Sequence, residues 1–231
     1  MREINLAQSE SKRRLLDAAE LLFAERGFEA VSVRDITQHA KANVAAINYH
    51  FGTRDGLIAL IVTRYLTPVN EERLARLDVL ERKGPGKALP VEEIINAFVR
   101  PLVVSARKSD LSERQYCKLL GRIFAMQGAG LPQAMEDPMR QLSERFIRTL
   151  GKALPAVAPE DLIWRMHFVV GALIHMLMNE EMLQRLTSGA SGAPTMEATL
   201  GRFIRFAAAG LREGVESEPA VKKGPQAMFD F

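Results

Sequence analysis

The chain has 231 residues, 47% hydrophobic and 26% charged, which is enough apolar content for a sizeable core and excludes a chain disordered throughout. Its one cysteine, Cys117, excludes an internal disulfide framework and a Cys-based zinc site and suits a reducing cytoplasm, the expected location. The formal net charge is +3, but the first 55 residues hold eight basic and eight acidic side chains, so bulk basicity does not by itself argue for a nucleic-acid partner.

Taken in order, residues 1–10 read as a frayed arm. Ser11 opens a helix to about Arg26 with Leu15, Ala18, Ala19, Leu22 and Phe23 as its apolar face, and Gly27 ends it. Ser32 caps a short helix to about Ala40. Asn43 caps another that carries Val44, Ile47 and Phe51 on one face, with Gly52 as its stop. Thr53 caps a long helix to about Lys83, assisted by Asp55 at the positive end of its dipole, with a kink expected at Pro68. Lys83 to Pro90 is a Gly/Pro loop. Helical spacing resumes over Val91–Lys108 (with Pro101 inside), Ser112–Gln127, Leu131–Leu154, Pro159–Leu186 and Thr195–Gly214. A Ser/Gly/Ala loop, Ser188 to Pro194, precedes the last of these, and 217–231 reads as a disordered tail. No strand pattern is present, so the expected fold class is all-α with about nine helices. No signal-peptide-length apolar run opens the chain. The longest apolar run, Phe168 to Met178, is interrupted by His175 and falls short of the ~18 residues of a membrane span, so no membrane partner is expected.

The stretch Ser32 to Phe51 carries the chemistry. Two capped helices joined by a tight break form the pattern of a helix-turn-helix, with Asn43 to Phe51 as the recognition helix. Its outward face would show Ala45, Ala46, Asn48, Tyr49 and His50, small and hydrogen-bonding side chains suited to base edges and phosphates. Lys12 to Arg14, Arg34, Lys41 and Arg54 sit at helix starts and at the turn, where phosphates are met.

The segments A-A-E-L-L-F-A-E-R-G-F-E-A-V-S-V-R-D-I (Ala18 to Ile36) and I-N-Y-H-F-G-T-R-D-G-L-I (Ile47 to Ile58) resemble the TetR family of transcriptional regulators. The resemblance implies an N-terminal helix-turn-helix domain (1–55) and a larger helical ligand-binding and dimerisation domain (56–216). It implies a homodimeric repressor on double-stranded DNA, paired through the last two long helices and released by a small hydrophobic effector. Carried over residue by residue, Tyr49 and His50 match the phosphate-contacting pair, Arg54 the cation of the fourth helix, and Ser32 and Arg34 the start of the second. Asn43, Ala45, Ala46 and Asn48 fall where base-reading side chains lie. One departure is Lys41, where the family has Gly in the turn; it implies either a strained left-handed residue or an added phosphate contact. D-L-I-W-R-M-H-F-V-V-G-A-L (Asp161 to Leu173), together with Asn48 to Gly52, is loosely similar to a subgroup that includes fatty-acid and acyl-CoA responders.

Candidate effector contacts are Phe98, Leu102, Cys117, Leu120, Phe124, Trp164, His167, Phe168 and His175, although the same residues also read as core or subunit interface. His167 and His175 are eight apart, about 12 Å along a helix, too far to share a metal. No metal and no cofactor is expected. There is no Gly-rich phosphate loop, no G-x-S-x-G and no H-E-x-x-H, so an enzyme is not expected. Two alternatives stay open, a helical ligand carrier or enzyme without a DNA role, and a DNA-binding regulator with no small-molecule inducer. Leu200, Phe203, Ile204, Ala207, Ala208 and Leu211 form a wide apolar stripe suited to packing within a subunit or between two.

Overall fold

The computed structural model describes residues 2–84, 88–126, 132–190, 192 and 195–213. These form ten helices and no strand: α1 (Arg2–Arg26), α2 (Val33–His39), α3 (Val44–Phe51), α4 (Arg54–Lys83), α5 (Val91–Ala106), α6 (Glu113–Ala125), α7 (Gln133–Ala153), α8 (Pro159–Met178), α9 (Glu180–Leu186) and α10 (Met196–Arg212). The all-α expectation holds.

Two boundaries differ from expectation. The first helix begins at Arg2, so residues 2–10 continue α1 rather than fray. The helix expected over Pro159–Leu186 divides at Asn179, whose φ of −122° and ψ of 22° leave helical geometry, and α9 restarts without a side-chain cap. The tail, 217–231, lies outside the described residues.

The small N-terminal helices pack as a unit. Leu15, Ala19, Phe23, Ile36, Ile47 and Leu57 are all fully buried, each apolar side chain contributing roughly 1.5–3 kcal/mol where it is large. Gly27, with φ of 90°, ends α1, and its amide donates to the Phe23 carbonyl at 3.0 Å. α4 runs unbroken through Pro68; its first turns pack on α1 and α3, and further contacts join it to α5 and α7. It therefore links the head to the remaining helices as one element.

Three polar ties fix that link. The Tyr65 hydroxyl of α4 donates to Oε2 of Glu20 on α1 at 2.8 Å. Glu20 Oε1 lies 3.1 Å from Arg64 Nη1, an ion pair without hydrogen-bond alignment. Arg122 of α6 donates through Nε to the Ala24 carbonyl at 3.2 Å and through Nη2 to the Glu25 carbonyl at 3.0 Å, satisfying the C-terminal end of α1. A side chain at Gly27 would strike that same arginine, its Cβ falling 2.4 Å from Arg122 Nη1.

The expected stripe on the last helix is intrachain core. Leu200, Phe203, Ala207, Ala208 and Leu211 are buried, Ile204 is half-buried, and α10 packs on α5 and α8. What remains uncovered is a different set, Ile163, Trp164 and Phe168 on α8 and Phe206 on α10, all more than half exposed. α8 also has a mean hydropathy of 1.3 over an 18-residue window and passes as a membrane span by length and composition. The expectation that no helix would do so counted uninterrupted apolar runs, whereas the window average tolerates the scattered polar residues of α8.

Candidate DNA-binding interface and effector cavities

Each end of α2 and α3 is fixed locally. Ser32 and Asp35 form a reciprocal capping box: the Ser32 hydroxyl accepts from the Asp35 amide at 3.2 Å, and the Asp35 carboxylate accepts from the Ser32 amide at 2.8 Å. The Ser32 hydroxyl also holds the Asp35 carboxyl below the usual carboxylate range. Asn43 caps α3, its Oδ1 accepting from the Ala45 amide at 3.0 Å. Lys41 between the helices has φ of 50°, the left-handed residue implied by the missing glycine.

Ile47 points α3 into the core, and this sets what faces out. Asn43, Ala45 and Asn48 are exposed, and so is Arg34 on α2. Tyr49 is 70% exposed; its hydroxyl accepts from Gln8 Nε2 at 3.2 Å and its ring meets His50 edge-on at 5.0 Å. Ala46 does not join this face. It is half-buried against the core, because it sits one residue from Ile47 on the inward side.

Arg54 departs furthest from expectation. Its Nε donates to the Val31 carbonyl at 3.2 Å, its Nη2 donates to the Phe28 carbonyl, and its guanidinium lies 6.0 Å from the centre of the Phe23 ring. The cation fastens the α1–α2 loop to the start of α4 instead of standing free for a phosphate. Gly56, unremarked in the sequence, is required nearby: a Cβ there would fall 2.3 Å from the Phe51 carbonyl oxygen. That clearance lets α4 start directly beneath α3.

Two cavities among the described residues lie in the helices beyond the head. The larger, about 640 Å³, lies between α6, α8, α9 and α10, with Cys117, Met178 and Met196 in its wall and Arg114, Lys118, Glu181 and Arg202 among its charged groups. Lys118 Nζ lies 3.3 Å from Glu181 Oε1 across it. The smaller, about 230 Å³, lies between α4, α5, α6, α7 and α8 and is walled by Phe98, Phe124, Leu142, Phe146 and Met166.

The expected effector contacts divide accordingly. Phe98, Phe124 and His167 line the smaller cavity, and Cys117 and His175 line the larger. Leu102 and Leu120 are buried core and line neither. Trp164 and Phe168 are 57% and 65% exposed and also line neither. Sequence reading missed Arg73, which is fully buried at the wall of the smaller cavity. Burial brings its guanidinium down to about 9. The signal was available: Val69, Arg73 and Leu77 are spaced i, i+4, i+8, which puts a cation in the middle of an apolar stripe. Among the described residues no group of three or more His, Cys, Asp or Glu side chains is arranged to hold a metal.

Comparison with known proteins follows the same division. A sequence profile described as "Bacterial regulatory proteins, tetR family" matches residues 15–61, and one described as "Tetracyclin repressor-like, C-terminal domain" matches residues 96–210. An HTH-type transcriptional repressor of Mycobacterium tuberculosis is 35% identical over 83 residues, 35% of this chain and 44% of that protein. The chain thus spans less than half the length of this relative. The HTH-type transcriptional regulator AcrR of Shigella flexneri is 26% identical over 161 residues, 68% of this chain and 70% of that one. Among solved structures, a TetR-like transcriptional regulator from a Rhodococcus species superposes with a TM-score of 0.56 at 20% identity, covering 87% of this chain and 95% of the other. The TetR family regulator PfmR of Thermus thermophilus gives 0.57 at 17% identity, covering 88% and 100%. At that identity the structures speak for the fold alone. With both profiles in chain order over the head and the larger helical part, the chain belongs to the TetR family of bacterial regulatory proteins.

Proposed function

We propose that the protein is a homodimeric, ligand-responsive repressor that binds a pseudo-palindromic operator. The supporting observation is the outward face of α3: Ala45, Asn48 and Tyr49 stand exposed on a helix capped by Asn43 and anchored by Ile47. Ser32, Arg34, Lys41 and His50 border that face, near where a phosphate backbone would run. With Ala45 exposed and Ala46 turned inward, base reading rests on Asn43 and Asn48, methyl contacts and duplex shape. The domain division at residue 55 is part of this reading, with α4 as the shared element.

A second copy would cover Trp164, Phe168 and Phe206, pairing subunits through α8 and α10. Two recognition helices must be about 34 Å apart to enter successive major grooves, so an effector that favours another spacing releases the DNA. The effector is a small, mostly apolar molecule held among α4 to α8, which suits the narrower resemblance to acyl-type responders. Release by this route is a shift between two dimer geometries.

A mobility-shift titration of the full chain on the DNA upstream of its own gene, repeated at several salt concentrations, tests the reading. Retardation should weaken steeply with salt, and Tyr49→Phe should lower affinity several-fold on any bound sequence. Binding that is indifferent to salt and to Tyr49→Phe would overturn the placement of the interface.

A further inference from the structure

Among the described residues, one fully buried charge lacks a counter-charge. Arg73 is fully buried on α4. Its Nε donates to the Phe98 carbonyl at 2.7 Å and its Nη1 to Asn70 Oδ1 at 3.1 Å. The guanidinium carbon lies 4.0 Å from the centre of the Phe98 ring and 5.4 Å from that of Phe124. Nη2 has no hydrogen-bond partner, and among the described residues no carboxylate pairs with Arg73. Every group that meets it is neutral.

Burying a cation in a low-dielectric interior is expensive unless an anion or a full set of acceptors compensates. Aromatic faces and two acceptors compensate in part. A purely structural role accounts for Nε, which ties α4 to the Pro101-containing α5, and for Nη1, which bonds within α4, but leaves Nη2 orphaned, and buried donors are rarely left so. The side chain also lines an otherwise mainly apolar cavity of about 230 Å³, where it is the one Lys, Arg, Asp or Glu among the lining residues.

We infer that Arg73 anchors a small monocarboxylate whose apolar body fills the cavity between α4, α5, α6, α7 and α8, and that such an acid is the effector. The charge count selects the class: one guanidinium balances one carboxylate, whereas a phosphate dianion would leave excess negative charge among phenylalanines. The volume, below the ~300–1,000 Å³ usual for drug-sized ligands, selects a short alkyl or aryl acid and leaves no room for a nucleotide-bearing thioester. Phe98, Phe124 and Phe146 offer ring faces and edges to the apolar body.

The inference rests on the ligand-responsive reading of the chain, so binding is measured without DNA. Octanoate and 4-phenylbutyrate are each titrated calorimetrically against the full-length protein beside their primary amides, which match them in shape and lack the charge. At least one acid should bind tenfold or more tighter than its amide, and Arg73→Met should abolish that preference in a protein that still melts cooperatively. Arg73→Lys should keep part of the preference. Equal binding of acid and amide, no binding of either acid, or an acid preference that survives Arg73→Met overturns the assignment. If Arg73→Met does not fold, the acid-against-amide comparison on the unmodified protein and on Arg73→Lys decides. Acid binding without operator binding would keep the cavity assignment and sink the regulator reading; operator binding indifferent to either acid would do the reverse.

Discussion

Arg54 and Tyr49 show what a single position can and cannot tell in advance. Both were expected at phosphates. Tyr49 stands exposed as its place on α3 requires, because Ile47 two residues earlier fixes which way the helix turns. Arg54 carries the same charge in either setting, and nothing in its spacing reveals that the Phe28 and Val31 carbonyls converge on it. That convergence depends on the path of a loop, which period and capping rules do not describe. The two residues should therefore separate in measurement. Arg54→Met leaves two carbonyls without a donor, about 1–3 kcal/mol, and should lower the melting temperature by several degrees. Tyr49→Phe should leave melting unchanged and weaken operator affinity. Equal melting for both variants with equal loss of affinity would restore Arg54 to the phosphates. Arg73, by contrast, was legible as a cation at an apolar register and was passed over.

At the scale of elements, caps and periodicity located most helices to within a few residues, because Ser32, Asn43, Thr53, Ser112 and Thr195 all accept backbone hydrogen bonds at helix starts. The break at Asn179 was not legible, since α8 and α9 share one continuous helical spacing and the division involves only a local change of backbone angles. The contact between α1 and α4 carries a pH signature. Burial raises the Glu20 carboxyl above its ordinary value, opposed by the Tyr65 hydrogen bond and by Arg64. A raised carboxyl favours the folded state while protonated, so that contribution is complete below the ordinary carboxylate value and is lost as pH rises through the folded one. Glu20→Gln keeps an acceptor for Tyr65 and removes the titration. Its melting temperature relative to the unmodified protein should rise between acid and neutral pH; a difference that stays flat or falls would contradict the burial argument.

For the whole molecule, the sequence left the apolar stripe of the last helix open to packing within a subunit or between two. The apolar stripe of α10 is consumed inside the subunit, while Trp164, Phe168 and Phe206 stay uncovered. Helical periodicity reveals that a face is apolar; it does not say which neighbour covers it, and α10 has apolar residues on more than one side. Trp164→Glu combined with Phe206→Glu should convert a dimer to a folded monomer in sedimentation velocity and cost operator affinity through the lost second half-site. A double variant that still sediments as a dimer would place the subunit contact elsewhere.

Arg122 has a consequence for grafting this head onto other bodies, or other heads onto this one. It grips the last carbonyls of α1, and every helix of any sequence offers carbonyls there. Tyr65 instead grips a side chain, Glu20. A foreign head joined at residue 53 would thus keep the first attachment whatever its residues 24 and 25, provided glycine follows at 27. It would keep the second only with an acceptor at position 20, which makes that one site the compatibility check for chimaeras.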